Sequence, residues 1–199
     1  MSKRIEVREI LNLAEYEKVR DVHRAAVIAA KRKRRVELGP NLSLVFENRA
    51  TVLFQIQEMV RTERIVDESK IQDEIDAYAG LLPSADELSA TLFIEIPGIA
   101  EMSHEKAREA VNYFQGFDEG GIVLHAGAET SQARFESGFS TDEKMAAVQY
   151  LRFAVSPAFR KALEAPGARP RLTADNSRYR AEAMLPEGAA GELLRDLEA

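Results

Sequence analysis

The stretch Asn41-Leu-Ser-Leu-Val-Phe-Glu47-Asn48-Arg49-Ala-Thr51-Val-Leu-Phe-Gln55-Ile-Gln-Glu58-Met-Val-Arg61-Thr-Glu-Arg64 decides how the chain is read. It predicts a short apolar strand running straight into a helix over 48–66. Asn48 is the natural N-cap, because its side-chain oxygen can accept a free backbone N–H of the first turn. The helix is apolar along Val52, Leu53, Ile56, Met59 and Val60. A second stripe, Thr51, Gln55, Glu58 and Thr62 with Arg61 beside it, is polar and well defined. No familiar catalytic spacing falls in it, so the stretch indicates where a site would lie rather than which reaction it performs.

Upstream, residues 13–35 read as one long helix. Asn12 is its cap and Glu15 completes a capping box, a device that contributes about 1 kcal/mol. Tyr16, Val19, His23, Ala26, Val27 and Ala30 recur at helical spacing and predict the buried stripe. The helix would end in Lys31-Arg32-Lys33-Arg34-Arg35, positive charge that complements the negative end of the dipole. Gly39-Pro40 then breaks the chain. Downstream, a helix over 68–79 follows Asp67 and stops at Gly80, with Ile71, Ile75, Tyr78 and Leu82 on one face.

From Pro83 the period changes. Ser84 and Glu87 suggest a single capped turn. Leu88, Ala90, Leu92, Ile94 and Ile96 alternate with polar neighbours as a half-buried strand. A helix from a Ser103 cap to Phe114, a hairpin of 121–127 with 131–136, and a central strand over 146–155 follow. A short helix starts at Ser156-Pro157. Strands over 170–174 and 178–185 precede a closing helix that carries Leu193, Leu194 and Leu197. The expected fold is α+β, in a single domain over 1–199. A helix-rich lobe (1–82, three helices and one short strand) packs on a largely antiparallel sheet that carries two or three further helices (83–199).

The 199 residues suffice for a core without staples. The absence of cysteine removes disulfides, thiolate metal sites and thiol catalysis from this chain. No apolar run approaches a membrane span, and the N-terminus lacks a signal-peptide core, so a cytoplasmic protein without membrane contact is expected. Charge is uneven: residues 1–35 hold 11 Lys/Arg against 5 Asp/Glu, and the remainder 16 against 28. That pattern suits a basic arm meeting an acidic face, its own or a partner's.

The motifs Asn12-Leu-x-x-Tyr16, Arg24 to Lys31 and above all Phe46-Glu47-Asn48-Arg49-x-Thr51-x-x-x-Gln55-x-Gln57-Glu58-Met59-x-Arg61 resemble a bacterial family known as domain of unknown function 3501. The likeness runs through Leu82-Pro83, Ala90-Thr91-Leu92 and the Asp175-x-x-x-Tyr179 segment, essentially the whole chain. The resemblance implies an accessory role near redox chemistry, beside rubrerythrin-like diiron proteins or iron–sulfur oxidoreductases. The family's Asp-His-Pro-x-Tyr motif stands here as Asp175-Asn-Ser-Arg-Tyr179, so a role resting on its histidine is not expected of this chain.

The ligand-binding candidates are Glu47, Arg49, Thr51, Gln55, Glu58 and Arg61; the catalytic candidates are Glu58, Arg61 and His23. Glu58, Glu74 and His23 could supply oxygen and imidazole ligands to a hard metal. The one Glu-x-x-His pair, Glu101 to His104, lies far from them. The plainer alternative is a network in which Arg24, Arg49, Arg61 and Arg64 neutralise the glutamates. His125 reads as a structural or surface histidine. No cofactor is evident. Three functional readings follow: an accessory protein with a redox partner, an enzyme using the Glu/Arg/His set on the second helix, and nucleic-acid binding through Lys31–Arg35, the last disfavoured because no aromatic platform is interleaved. Oligomerisation is left open.

Overall fold

The computed structural model describes residues 4–136 and 146–198. Strands β1 (Arg35–Leu38), β2 (Leu42–Phe46), β3 (Glu87–Ile94), β4 (Ile122–Ala126), β5 (Glu129–Phe135), β6 (Val148–Ala154), β7 (Arg171–Asp175) and β8 (Arg180–Met184) join in one antiparallel sheet of order β1-β2-β3-β6-β5-β4-β7-β8. The helices are α1 (Leu13–Lys31), α2 (Arg49–Thr62), α3 (Glu68–Ala79), α4 (His104–Asn112), α5 (Pro157–Glu164) and α6 (Ala189–Glu198).

The expected fold class is corrected here. The sheet is not a platform that begins after residue 82. The hairpin of β1 and β2, inside the supposed helical lobe, forms one edge of it, and the sheet curls until β1 and β8 approach each other, nearly closing a barrel. The Tyr179 hydroxyl fastens the seam by donating to the Leu38 carbonyl. Gly39, at φ +73°, lets the chain turn there, and a Cβ at this position would collide with that hydroxyl. Phe114 and Phe117 pack edge-on against the Tyr179 ring at centroid distances of 5.3 and 6.1 Å.

Alternation along the strands makes two cores. Leu42, Leu44, Phe46, Leu88, Ala90, Leu92, Leu151 and Phe153 face the concave side, where α5 and α6 close over them. Ser89, Thr91, Tyr150 and Arg152 face the other way, paired Ser89 with Arg152 and Thr91 with Tyr150. This outer face is covered by α2 and α3, whose Val52, Ile56, Val60, Ile71 and Ile75 form a second, smaller cluster with Ile5, Ile10 and Leu81. Coverage on both faces explains why Ser89 and Thr91, polar by sequence, are buried.

The long helix ends at Lys31 rather than at residue 35. Arg34 is buried, and its guanidinium donates to Asp196 of α6 at 2.5 and 2.9 Å and to Glu192 at 3.0 Å. That pairing pulls the chain out of the helix and into β1. Among the described residues, no helix is long and apolar enough to cross a membrane.

Candidate functional site

Asn48 caps α2 as its sequence predicts: its Oδ1 accepts from the Thr51 N–H and the Thr51 hydroxyl accepts from the Asn48 N–H, both at 2.9 Å. The cap fixes the phase of the helix, and with it the direction of every polar residue that follows. Each of those residues reaches a different neighbour.

Glu47 is 2% exposed. Its carboxylate accepts from the hydroxyls of Thr51 at 2.5 Å and Thr91 at 2.7 Å, and among the described residues no ion pair reaches it. It pins the start of α2 to the middle of β3. Arg49 grips Glu9 at 2.5 Å. Gln57 accepts from the Leu11 N–H at 2.8 Å and donates to the Leu11 carbonyl at 2.9 Å, serving the extended residues before α1 as a strand neighbour would. Gln55, half-buried, faces Tyr78 of α3.

Glu58 is the hub toward α1. It accepts the Tyr16 hydroxyl at 2.7 Å and a bidentate pair from Arg20 at 2.9 and 2.8 Å. Arg61 approaches Glu58 at 3.6 Å and donates to Glu17 at 3.3 Å. The Arg20 bonds hold the Glu58 carboxyl at about 2, against the desolvation of its partly buried site, and Tyr16 adds a further donor. Burial, with the carboxylate beside it, pushes the Tyr16 phenol up.

A carboxyl whose native value lies below its unfolded one stabilises the fold above the unfolded value, near 4.5. That contribution is lost as pH falls toward 2. Acid titration of unfolding free energy between pH 5 and pH 2 is therefore expected to show a loss on the order of 2 kcal/mol attributable to this hub. Glu58→Gln should be less stable at neutral pH and should lack that share of the acid loss. Parallel titrations of the two proteins check it.

Placed together, the sequence candidates are not a converging site. Glu47 and Thr51 pair with each other and with Thr91 at one end of α2, Glu58 turns to Tyr16 and Arg20 at the other, and Arg49 and Arg61 are engaged with Glu9, Glu17 and Glu58. Glu74 lies on α3, apart from the hub. Among the described residues, no group of three His, Cys, Asp or Glu is placed to hold a metal ion, so Glu58, Glu74 and His23 are not assembled as ligands. His23 is exposed on α1, edge-on to Tyr16 at a centroid distance of 6.0 Å. Glu101 and His104 are both exposed. His125 lies 3.0 Å from the Thr173 hydroxyl. The basic run also divides: Arg34 is buried against α6, Arg35 pairs with Glu37 and Glu95, and Lys31, Arg32 and Lys33 remain on the surface.

The feature that sequence reasoning placed wrongly is α1 itself. Its expected stripe is buried at Tyr16 alone. Beyond Arg20 the helix is largely exposed: Val27 and Ala30 stay half-buried, but His23 and Ala26 are exposed, Val22 is 71% exposed and Ile28 47%. Ala25 and Ala29 lie on the surface beside Arg24, Arg32 and Lys33. Among the described residues, nothing covers the exposed apolar side chains of this half of the 19-residue helix, and basic residues border them.

The sequence profile of a family described as "Protein of unknown function (DUF3501)" matches residues 4–197 of this chain. No curated protein matches it. A crystal structure of a protein from Burkholderia pseudomallei K96243, described as a novel protein of unknown function, is similar at 34% identity. The alignment covers 94% of this chain and 95% of that one, with a TM-score of 0.82.

Proposed function

The chain belongs to the DUF3501 family of proteins of unknown function, and from that premise we propose that it is an accessory protein that docks an acidic protein partner on the projecting half of α1. A single observation carries this reading: the helix keeps apolar side chains, Val22 and Ile28, exposed where the described residues of its own body offer no cover. The chemistry of the partner follows from the rim. Arg24, Arg32 and Lys33 make no ion pair among the described residues, so an acidic surface would both steer toward and neutralise them. A redox protein of rubrerythrin or iron–sulfur type is the partner class that the sequence resemblance favours. The polar residues of α2 then act at one remove, by fixing where α1 points.

The test compares capture from native extract by the intact chain, by Val22→Asp/Ile28→Asp and by Arg32→Glu/Lys33→Glu. All four positions are exposed, so each pair should unfold like the parent to within about 0.5 kcal/mol. The intact chain is expected to retain one identifiable acidic protein. Either double variant should lower its recovery roughly tenfold, and added salt should do the same. Undiminished recovery by both variants would overturn the proposal, as would failure of the intact chain to retain any acidic protein.

A further inference from the structure

A cavity of about 400 Å³ opens between the last turns of α3 and the outer face of the sheet, lined by Glu74, Ala77, Tyr78, Gly80, Leu81, Glu136 and Tyr150. Neither its position nor its chemistry belongs to the α1 surface. Its volume sits toward the low end of the roughly 300–1,000 Å³ that small-molecule sites occupy. Two phenol rings and the buried Leu81 supply apolar wall, and two carboxylates supply charge.

The two carboxylates are not equivalent. Glu136 is compensated: Arg152 approaches it at 3.3 Å and Arg134 at 3.4 Å. Glu74 is not, because among the described residues no cation or hydrogen-bond donor reaches it. Its charged neighbours are Glu63 and Asp73, and burial together with their repulsion raises its carboxyl above the ordinary glutamate value. Among the described residues, the cavity also holds no cation free to receive an anion. Arg152 donates to the Leu82 carbonyl at 2.8 Å and to the Gly80 carbonyl, besides its contact with Glu136. Tyr78 and Tyr150 are held neutral, burial raising both phenols, so their ring faces offer negative potential without full charge. The C-terminal end of α3, which forms one rim, adds the negative pole of its dipole.

We propose that this cavity binds a compact organic monocation, an ammonium group on a short aliphatic or aromatic body, with Glu74 as counter-ion and the rings of Tyr78 and Tyr150 against the ligand body. A neutral molecule would leave Glu74 uncompensated. An anion would meet two carboxylates and, among the described residues, no available donor of positive charge. A dication would exceed the one free charge.

Calorimetric titration of the full chain with phenethylammonium tests this, with 2-phenylethanol and 3-phenylpropionate as the neutral and anionic counterparts of the same shape. Saturable binding with a Kd of about 1 mM or tighter is expected for the ammonium, at least roughly tenfold stronger than for either counterpart. Glu74→Gln should weaken it by a similar factor, while the variant unfolds no more easily than the parent because the charge it removes is a repelled one. Ala77→Lys, at an exposed helical position on the rim, should abolish binding by tethering a competing cation in the cavity. Three outcomes overturn the proposal: no saturable binding of phenethylammonium, equal or better binding of phenylpropionate, or an affinity unchanged in both variants.

Discussion

Replacing Arg34 by alanine is expected to cost about 3–5 kcal/mol of folding free energy. The guanidinium is almost wholly enclosed, at 2% side-chain exposure, with Asp196 at 5%. Burial disfavours its charge, but Asp196 and Glu192 outweigh burial and hold it protonated. Removal leaves Asp196 as an uncompensated charge inside the protein. The same reasoning gives the reverse expectation for the pair. Arg34→Met with Asp196→Leu should recover most of the loss, because two apolar side chains of similar volume remove the desolvation cost together with the attraction. Urea unfolding of the parent, both single variants and the double variant closes the cycle. A double variant as unstable as the singles would mean that β1 depends on the salt bridge for its path and not only for its charge balance.

Tyr16→Ala should be comparably damaging, at about 3–5 kcal/mol, for a different reason. Tyr16 is 0% exposed and is the one buried residue of α1. Its ring is the apolar anchor of the helix, and its hydroxyl donates to Glu58. Truncation therefore opens a cavity against α2 and withdraws a donor from a partly buried carboxylate in one step. Tyr16→Phe isolates the second loss and should cost about 1–2 kcal/mol. Urea denaturation midpoints at constant slope measure both. If Tyr16→Ala unfolds like the parent, α1 is not held where its contacts place it.

What was legible in the sequence follows from how local each cause is. The capped helix from Arg49 is written within four residues, in the reciprocal bonds of Asn48 and Thr51. The helix Glu68–Ala79 is equally local: Asp67 starts it and Gly80 stops it. Strand β1 was not legible, because Lys31–Arg35 looks like a solvated helix end until Asp196, 162 positions away, is placed beside Arg34. Closure of the sheet depends on Tyr179 meeting Leu38 across 141 positions. Ser84 and Glu87 match a capping pattern, yet Ser84 binds Asp86 and its N–H donates to the Glu87 carbonyl, so no capped turn forms.

The candidate site shows the same division. The polar stripe of α2 was visible from periodicity, but periodicity is silent about partners. Glu47, Gln57 and Glu58 are turned into a clamp by Thr91, Leu11, Tyr16 and Arg20, none of them adjacent in sequence. The apolar stripe of α1 is equally legible, but the core buries only Tyr16 of it. The cavity at Glu74 had no signal in spacing, since its walls come from α3, β6 and the end of β5.

α2 clamps the first half of α1, and among the described residues the second half is left largely uncovered. Amide hydrogen exchange, resolved along the two helices at a concentration where sedimentation shows a monomer, tests it most directly. Residues 24–31 should exchange at least roughly hundredfold faster than residues 52–61, because an uncovered helix end opens without disturbing the core. Equal protection of the two segments would contradict the claim and with it the docking surface.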